Sequence, residues 1–296
     1  MGEPDIVSRR VGALLALACI ALGACAPAGN QEAGPAAPAA PGIALYALDC
    51  GRIVTSDAGP FSDDHAYDGQ TRDLVDPCYV IRHPRGDLLW DAGFPEAVAA
   101  MPQGLTNDTF HITLARTLSA QLAEIGVQPK DIELFSVSHS HPDHVGNANL
   151  FAGATWIVDR DERDYMFSPE ARANTQEFTA YERLETARTT LIEGDGDHDV
   201  FGDGTVKIIQ APGHTPGHTV LLVTLGSGPV LLAGDMWHFA ESRAARRVPV
   251  FNTDRQQTLD SMDKIERVIS QTGARVVRQH VPEDFASLPR FPEPLR

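Results

Sequence analysis

Apolar residues along this chain fall into short runs that end in turn-forming or metal-binding residues. Ile43 to Cys50 and Cys78 to Arg82 are of strand length, and Leu88-Leu89-Trp90 stops at Asp91. Ile132 to Val137 reads as a strand leading towards His139, and Val206 to Gln210 as another leading into Gly213-His214. Thr219 to Leu225 and Pro229 to Ala233 flank Gly226-Ser227-Gly228, the pattern of a hairpin whose second arm ends in Gly234-Asp235. Arg275 to Gln279 is a short late strand ending in His280.

Segments of helical period lie between these strands. Thr253-Asp254-Arg255-Gln256 has the form of a capping box, and Leu259, Met262, Ile265 and Ile269 follow at helical spacing until Gly273. Leu114, Leu118 and Leu122 form a second stripe that stops at Gly126. Both stripes predict core-facing helix surfaces. Strands alternating with such helices indicate an α/β protein with sheets inside and helices outside. No solenoid repeat is present, and the ~250 residues from 43 to 296 suit one domain with a substantial core.

Chemistry concentrates between Ser138 and Asn147, where His139, His141, Asp143 and His144 form an H-x-H-x-D-H motif. Two residues apart at a strand end, His139 and His141 point to the same side and can grip one ion. Asp143 and His144, on the following turn, face a neighbouring position suited to a second. Zinc takes four or more ligands from His, Asp and Cys, so further donors are required at strand ends downstream. His214, Asp235 and His280 meet that requirement. His218 repeats the local Pro-Gly-His pattern and is expected to hydrogen-bond within its turn. His65, His83, His111 and His198 have no partner at ligand spacing and read as surface or core residues.

These motifs, in this order, resemble the metallo-β-lactamase superfamily over roughly positions 43 to 290. The resemblance implies a four-layer αββα sandwich holding two divalent metal ions, with zinc the expected metal. His139, His141 and His214 resemble the ligands of the first ion; Asp143, His144 and His280 resemble those of the second, and Asp235 the bridging carboxylate. Asp91 resembles a residue that orients a ligand histidine.

Within the superfamily the resemblance extends to the N-acyl-homoserine lactonases. It is carried by Leu45 to Gly51, Pro77-Cys78-Tyr79-Val80-Ile81, Leu89 to Gly93, Gln279-His280 and Asp284 to Pro289. Those enzymes often place a tyrosine three residues after the bridging aspartate; this chain has His238, whose neutral imidazole can donate a similar hydrogen bond. The implied reaction opens the lactone ring of N-acyl-homoserine lactones, a quorum-quenching activity, by attack of a metal-bound hydroxide. Asp143 would pass a proton to the departing ring oxygen, and His238 would help to stabilise the oxyanion. The alternative is a metallohydrolase of the same fold acting on other esters, β-lactams or phosphotriesters. Asp235 argues against β-lactamase activity, and His141 argues against the redox-active di-iron branch. A homodimer is consistent with the resemblance.

The polar, aromatic-bearing stretch from Asp57 to Pro77 is long for a connection and is a candidate substrate loop. Phe61 and Tyr67 within it are either acyl-chain contacts or loop-packing aromatics.

At the N-terminus, Arg9-Arg10 precede an apolar run from Val11 to Ala24, too short to span the ~30 Å bilayer core. Leu22-Gly23-Ala24-Cys25 resembles a bacterial lipobox, which makes residues 1–24 a lipoprotein signal peptide and Cys25 the acylated first residue of the mature chain. An ordinary cleaved signal peptide is the other reading. Either exports the protein to the periplasmic side of the envelope, with a membrane association only through the lipid on Cys25. Residues 25–42 read as an Ala/Pro/Gly tether.

Charge and cysteine content narrow the picture further. With 24 basic against 40 acidic residues the net charge is −16, and the pI is near 5.0. That acidity argues against nucleic acid as a partner, since phosphates would be repelled, and fits a neutral or cationic substrate, or simply solubility; a small-molecule lactone or ester is the partner that the resemblance implies. Of four cysteines, Cys19 and Cys25 lie in the export segment. Cys50 and Cys78 face a compartment that permits disulfides; a bridge and two buried thiols both remain open.

Overall fold

Alternation of apolar side chains along the strands decides the layering. The computed structural model describes residues 42–194 and 196–296, so the signal segment, Cys25 and the tether up to residue 41 lie outside the described residues. Among the described residues no helix is long and apolar enough to cross a membrane. The first eight strands are β1 (Ala44–Thr55), β2 (Arg72–His83), β3 (Gly86–Trp90), β4 (Leu105–Thr106), β5 (Phe110–Thr113), β6 (Leu134–Ser136), β7 (Thr155–Asp159) and β8 (Thr189–Ile192). They form one sheet in the order β4-β5-β1-β2-β3-β6-β7-β8. Five more, β9 (His198–Asp199), β10 (Val206–Gln210), β11 (Thr219–Leu225), β12 (Gly228–Leu232) and β13 (Arg275–Val277), form the second sheet in the order β13-β12-β11-β10-β9.

Successive residues of each strand enter different cores, as the two-residue period requires. Leu45, Ala47, Tyr79 and Ile81 meet Ile208, Leu221, Val223 and Leu232 between the two sheets. Their neighbours Tyr46, Leu48 and Val80 pack instead against Leu118, Leu122, Phe151 and Leu184 of the outer helical layer. On the far side, Ile209, Val220, Leu222 and Leu231 pack against Met262 and Ile265 of the helix Arg255–Thr272. Helix, sheet, sheet and helix therefore stack in that order, the αββα sandwich expected.

Several boundaries differ from the expectation, each for a local reason. The strand expected over Ile132 to Val137 is confined to β6, because the Ser138 N–H turns away to the Asp91 carboxylate at 2.6 Å. The strand expected to reach Gln279 ends at Val277, where the Arg278 N–H donates to Asp284. β2 begins six residues earlier than the Cys78 to Arg82 expectation and absorbs the last part of the stretch expected to be a loop, leaving residues 56–71 as the connection. Pro77 lies inside it, paired with Asp49 beside a β-bulge between Asp49 and Arg52, a place where a missing N–H is tolerated. Leu114 stands before its helix, which starts after Thr117. The cap of Arg255–Thr272 is Asp254, whose carboxylate accepts from Gln257 N at 2.8 Å; Thr253 is engaged by the His214 carbonyl. Gly273 ends that helix in the left-handed region, at φ 66°.

Cys50 and Cys78 are joined in a disulfide, their Cα atoms 5.7 Å apart, which settles the alternative left by the sequence. Gly93 packs against it so closely that a Cβ there would stand 2.4 Å from Cys50 Cβ. The bridge thus sits under the Asp91–Phe94 turn, which supports the motif histidines. With a sequence separation of 28, loop-closure entropy gives it about 3–4 kcal/mol of stability. Replacing both cysteines by serine is expected to lower the unfolding free energy by about that amount in urea titrations; an unchanged midpoint would show that the bridge carries no stability.

Candidate metal centre

The site residues arrive from the ends of strands in both sheets. After β6 the chain turns through His139, Ser140 and His141 and enters the single helical turn Pro142–Val145. His214 lies in the turn between β10 and β11, Asp235 follows β12, and His280 follows β13. All except Asp143 and His141 are buried.

Three imidazoles converge first. His139 Nε2 lies 2.9 Å from His141 Nδ1 and 3.1 Å from His214 Nε2, and the latter two are 3.1 Å apart. A second group gathers around Asp143 Oδ2, which is 3.7 Å from His280 Nε2 and 3.9 Å from His144 Nε2. Asp235 stands between them. Its Oδ2 faces His214 and His139 Nε2 at 3.4 and 3.6 Å, while its Oδ1 faces His280 and His144 Nε2 at 3.0 and 3.2 Å.

This donor set fits two cations sharing one carboxylate. His139, His141, His214 and Asp235 form one group of converging donor atoms, and Asp143, His144 and His280 form another. His144 Nε2 and Asp235 Oδ1 are buried without an aligned hydrogen-bond partner, and a cation between the groups would satisfy both. The outer nitrogens are held by acceptors. His139 Nδ1 and His144 Nδ1 both meet Ser138 Oγ at 3.1 Å, the latter with Asp91 Oδ2 also 3.2 Å away, and His280 Nδ1 donates to the Val75 carbonyl at 2.9 Å. Protons on the outer nitrogens leave the inner lone pairs for a metal.

Asp91 has the orienting place expected of it, and holds it at φ 61°, a left-handed conformation uncommon outside glycine. His218 does more than close its turn: its Nδ1 donates to the Ala211 carbonyl at 3.1 Å, and its Nε2 accepts the Asp235 N–H at 3.0 Å. Both nitrogens are occupied, so it positions Asp235. His65, His83, His111 and His198 lie apart; His83 stacks on Phe201 and meets Asp203 Oδ2 at 3.0 Å.

Three residues that the sequence did not single out support the centre. Buried Glu162 accepts from Ser140 N at 2.7 Å with one oxygen, and from Thr215 Oγ1 and Gly217 N at 2.7 and 3.0 Å with the other, joining two ligand-bearing turns. Asn147 donates to the Ala92 and Phe94 carbonyls, both at 2.7 Å. Asn252 Oδ1 meets His214 Nδ1 at 2.8 Å. Only Asn147 had a sequence signal, its place at the end of the histidine motif.

Electrostatics divide the centre in two. Burial lowers the pKa of His139, with His144 adding to the shift, and burial and His214 push His141 down to about 3. Across Asp235 the balance reverses: burial opposes charge, but Asp235, Asp91 and Asp143 raise His144 well above its ordinary value. Against the same burial penalty, Asp235 and Asp143 bring His280 up to about 9. Burial alone would raise Asp235, but the surrounding imidazoles, His280 first, hold it well below the usual carboxylate range. His238 is brought down to about 4 by burial despite Asp235, and is neutral at pH 7.

A cavity of about 440 Å³ opens over Asp143, Asp235, His238 and His280, walled by Ile53, Phe61, Phe94, Phe110, Ile112 and Phe251. His238 Nε2 lies 3.1 Å from Asp235 Oδ2. Phe61 therefore lines the site. Tyr67 does not, being buried against Phe239 with its hydroxyl 3.0 Å from Ser242 Oγ.

Residues 72–280 match the family model of the metallo-beta-lactamase superfamily, and the chain belongs to that superfamily. It is a metal-dependent hydrolase of the metallo-β-lactamase fold. It is 32% identical over 236 residues to N-acyl homoserine lactonase AttM of Azorhizobium caulinodans, an alignment covering 76% of this chain and 88% of that one. To N-acyl homoserine lactonase AiiA of Bacillus thuringiensis subsp. kurstaki it is 30% identical over 257 residues, covering 84% and 97%. A solved N-acyl homoserine lactone hydrolase with N-hexanoyl-L-homoserine at its catalytic metal centre superposes with a TM-score of 0.70 at 25% identity, over 85% of this chain and 98% of that one.

Metal uptake by the metal-free protein should release protons. His144 and His280 carry them at neutral pH and must lose them to ligate, so affinity at their position should rise as pH climbs towards about 9. Calorimetric titration at pH 7 in buffers of different ionisation enthalpy measures the release; zero protons released would contradict the charge division.

Proposed function

We propose that this enzyme opens the lactone ring of N-acyl-homoserine lactones with two zinc ions held on either side of Asp235. His139, His141 and His214 hold one ion; Asp143, His144 and His280 hold the other. The observation that carries the reading is the shared carboxylate at the floor of an apolar cavity; the named activity of the AttM and AiiA relatives supports the substrate class. Zinc suits a set of imidazole and carboxylate donors, although the same set admits other divalent ions.

When bound, the ions supply a nucleophilic hydroxide at neutral pH and a Lewis acid for the ring carbonyl. The chain's own residues do the rest. The aromatic wall, with Phe61, Phe110 and Phe251, takes the acyl chain and excludes water, directing the ring towards Asp235 and His238. His238 is neutral and its Nε2–H, now facing Asp235 Oδ2, donates to the carbonyl oxygen as negative charge develops there. As the carbon–oxygen bond of the ring breaks, Asp143 takes the proton carried by the attacking hydroxyl and passes it to the departing ring oxygen, which leaves as a hydroxyl while the acyl carbon is left as a carboxylate. The product is the open N-acyl-homoserine carboxylate.

We also read the chain as an exported lipoprotein anchored through Cys25. Its apolar run and lipobox support this, as does the Cys50–Cys78 bridge, a bond suited to an oxidising compartment.

The purified protein should open short- and long-chain N-acyl-homoserine lactones with about two metals bound per chain, lose activity on chelation and regain it with zinc. Two bound metals without ring opening would discard the substrate and keep the centre. Asp235→Asn should lower both the metal content and the rate, the latter at least about 100-fold; a variant retaining both would sink the bridging assignment. His238→Ala should lower kcat about 100-fold with metal content unchanged, and His238→Tyr should recover most of it. Equal rates in wild type and His238→Ala would remove His238 from the mechanism.

A further inference from the structure

We infer that Asn252 is the positioning residue that fixes the tautomer of His214 and, as a neutral acceptor, sets how tightly the three-histidine position holds its ion; this rests on the reading that His139, His141 and His214 bind metal. A chain of hydrogen bonds orients the Asn252 amide. Buried Thr258 lies in the first turn of the helix Arg255–Thr272, and its hydroxyl donates to the Asp254 carbonyl at 2.7 Å. With its one proton committed, that hydroxyl can only accept from Asn252, whose amide nitrogen lies 3.0 Å from it. The amide is thereby oriented, and Asn252 Oδ1 is the atom that faces His214 Nδ1 at 2.8 Å. An oxygen there requires the proton on Nδ1, which leaves the lone pair on Nε2, the atom that meets His139 and His141 at 3.1 Å.

The backbone is equally constrained. Asn252 N donates to the Pro249 carbonyl, while Thr253 N and Asp254 N donate to the carbonyls of His214 and Gly213 at 3.1 and 2.9 Å. Two segments 38 residues apart are thus tied together at the ligand itself. The acceptor's chemistry matters as much as its place. His139 and His144 share the Ser138 hydroxyl, and His144 has the Asp91 carboxylate beside it as well, whereas His214 faces only a neutral amide. A carboxylate behind an imidazole makes it a stronger donor to a metal; an amide fixes the ring without that gain.

The test is zinc binding by the full chain, read by competition with a chromophoric chelator, so that it does not depend on substrate. Asn252→Ala should weaken one of the two ions about 10–100-fold and leave the other unchanged. Asn252→Asp keeps the acceptor but loses the amide donor to Thr258, and should hold that ion at least as tightly as the wild type. Thr258→Val, which leaves the amide in place but free to turn, should give a smaller loss in the same ion and stands in if Asn252→Ala does not fold. If Asn252→Asp binds as poorly as Asn252→Ala, affinity follows the Thr258 link, the role is merely structural and the proposal fails. Wild-type affinity in all three variants would overturn it as well. A wild-type protein that binds no zinc would instead remove the underlying reading of the site.

Discussion

Everything in the centre is arranged around one buried carboxylate, that of Asp235. An isolated carboxylate at this depth would cost several kcal/mol and take up a proton. Here five imidazole nitrogens lie within 3.0–3.6 Å of its two oxygens and hold it ionised. Its position is decided by the backbone rather than by the ligands. Gly234 takes φ 50°, and a Cβ there would lie 2.7 Å from His218 Nε2, the atom that accepts the Asp235 N–H. His218, committed through both nitrogens and lowered to about 3 by burial, acts as a fixed neutral strut. A side chain at 234 would push the strut away and move the carboxylate out of reach of one group of histidines or the other.

A site made of turns needs its turns held, and the chain does so with polar side chains that reach between them. Glu162 joins the Ser140 and Thr215–Gly217 turns, Asn147 joins the motif to the Ala92–Phe94 turn, and Asn252 joins His214 to the cap of the long helix. Each is buried or half-buried, and each makes at least two bonds. Under the Asp91 turn the Cys50–Cys78 bridge and Gly93 are in contact, so neither the strained backbone of Asp91 nor the carboxylate it aims at His144 can relax away. The two sheets supply rigid strand ends; these cross-links turn strand ends into fixed donor positions.

That division explains what could be read from the sequence. Candidate ligands are legible because metal chemistry accepts few residue types: the donor atoms of His139, His141, Asp143, His144, His214, Asp235 and His280 converge at the ends of strands, where the sequence placed them. Sheets inside and helices outside were legible from apolar strand runs alternating with helical stripes, and the four layers from the family resemblance; β1, β2, β11 and β12 are apolar on both faces because successive residues enter different cores. Glu162 and Asn252 were not legible, since a lone Glu in a short helix and an Asn in a loop carry no local pattern; their partners lie 22 to 55 and 38 residues away. β2 was underestimated because Asp76 and Pro77 interrupt its apolar pattern, and only the bulge in its neighbour makes them admissible. The sequence does not decide the place of Tyr67, because whether a loop aromatic faces the cavity or the protein depends on packing by Phe239 and Ser242, far along the chain.

The cavity does not open evenly on the two halves of the centre. Asp143, His238 and His280 line it, together with His141 and Asp235, while His139, His144 and His214 lie behind. The exposed half is the one with the extra carboxylate, next to the neutral donor His238, and the wall above it is mostly aromatic and aliphatic, with Asn107 and Glu177 the polar exceptions. A substrate with a small polar head and an apolar tail suits such a site: the head reaches the charged floor, and the tail covers a surface that would otherwise face water. The net charge of −16 sets no electrostatic barrier against a neutral molecule of that kind.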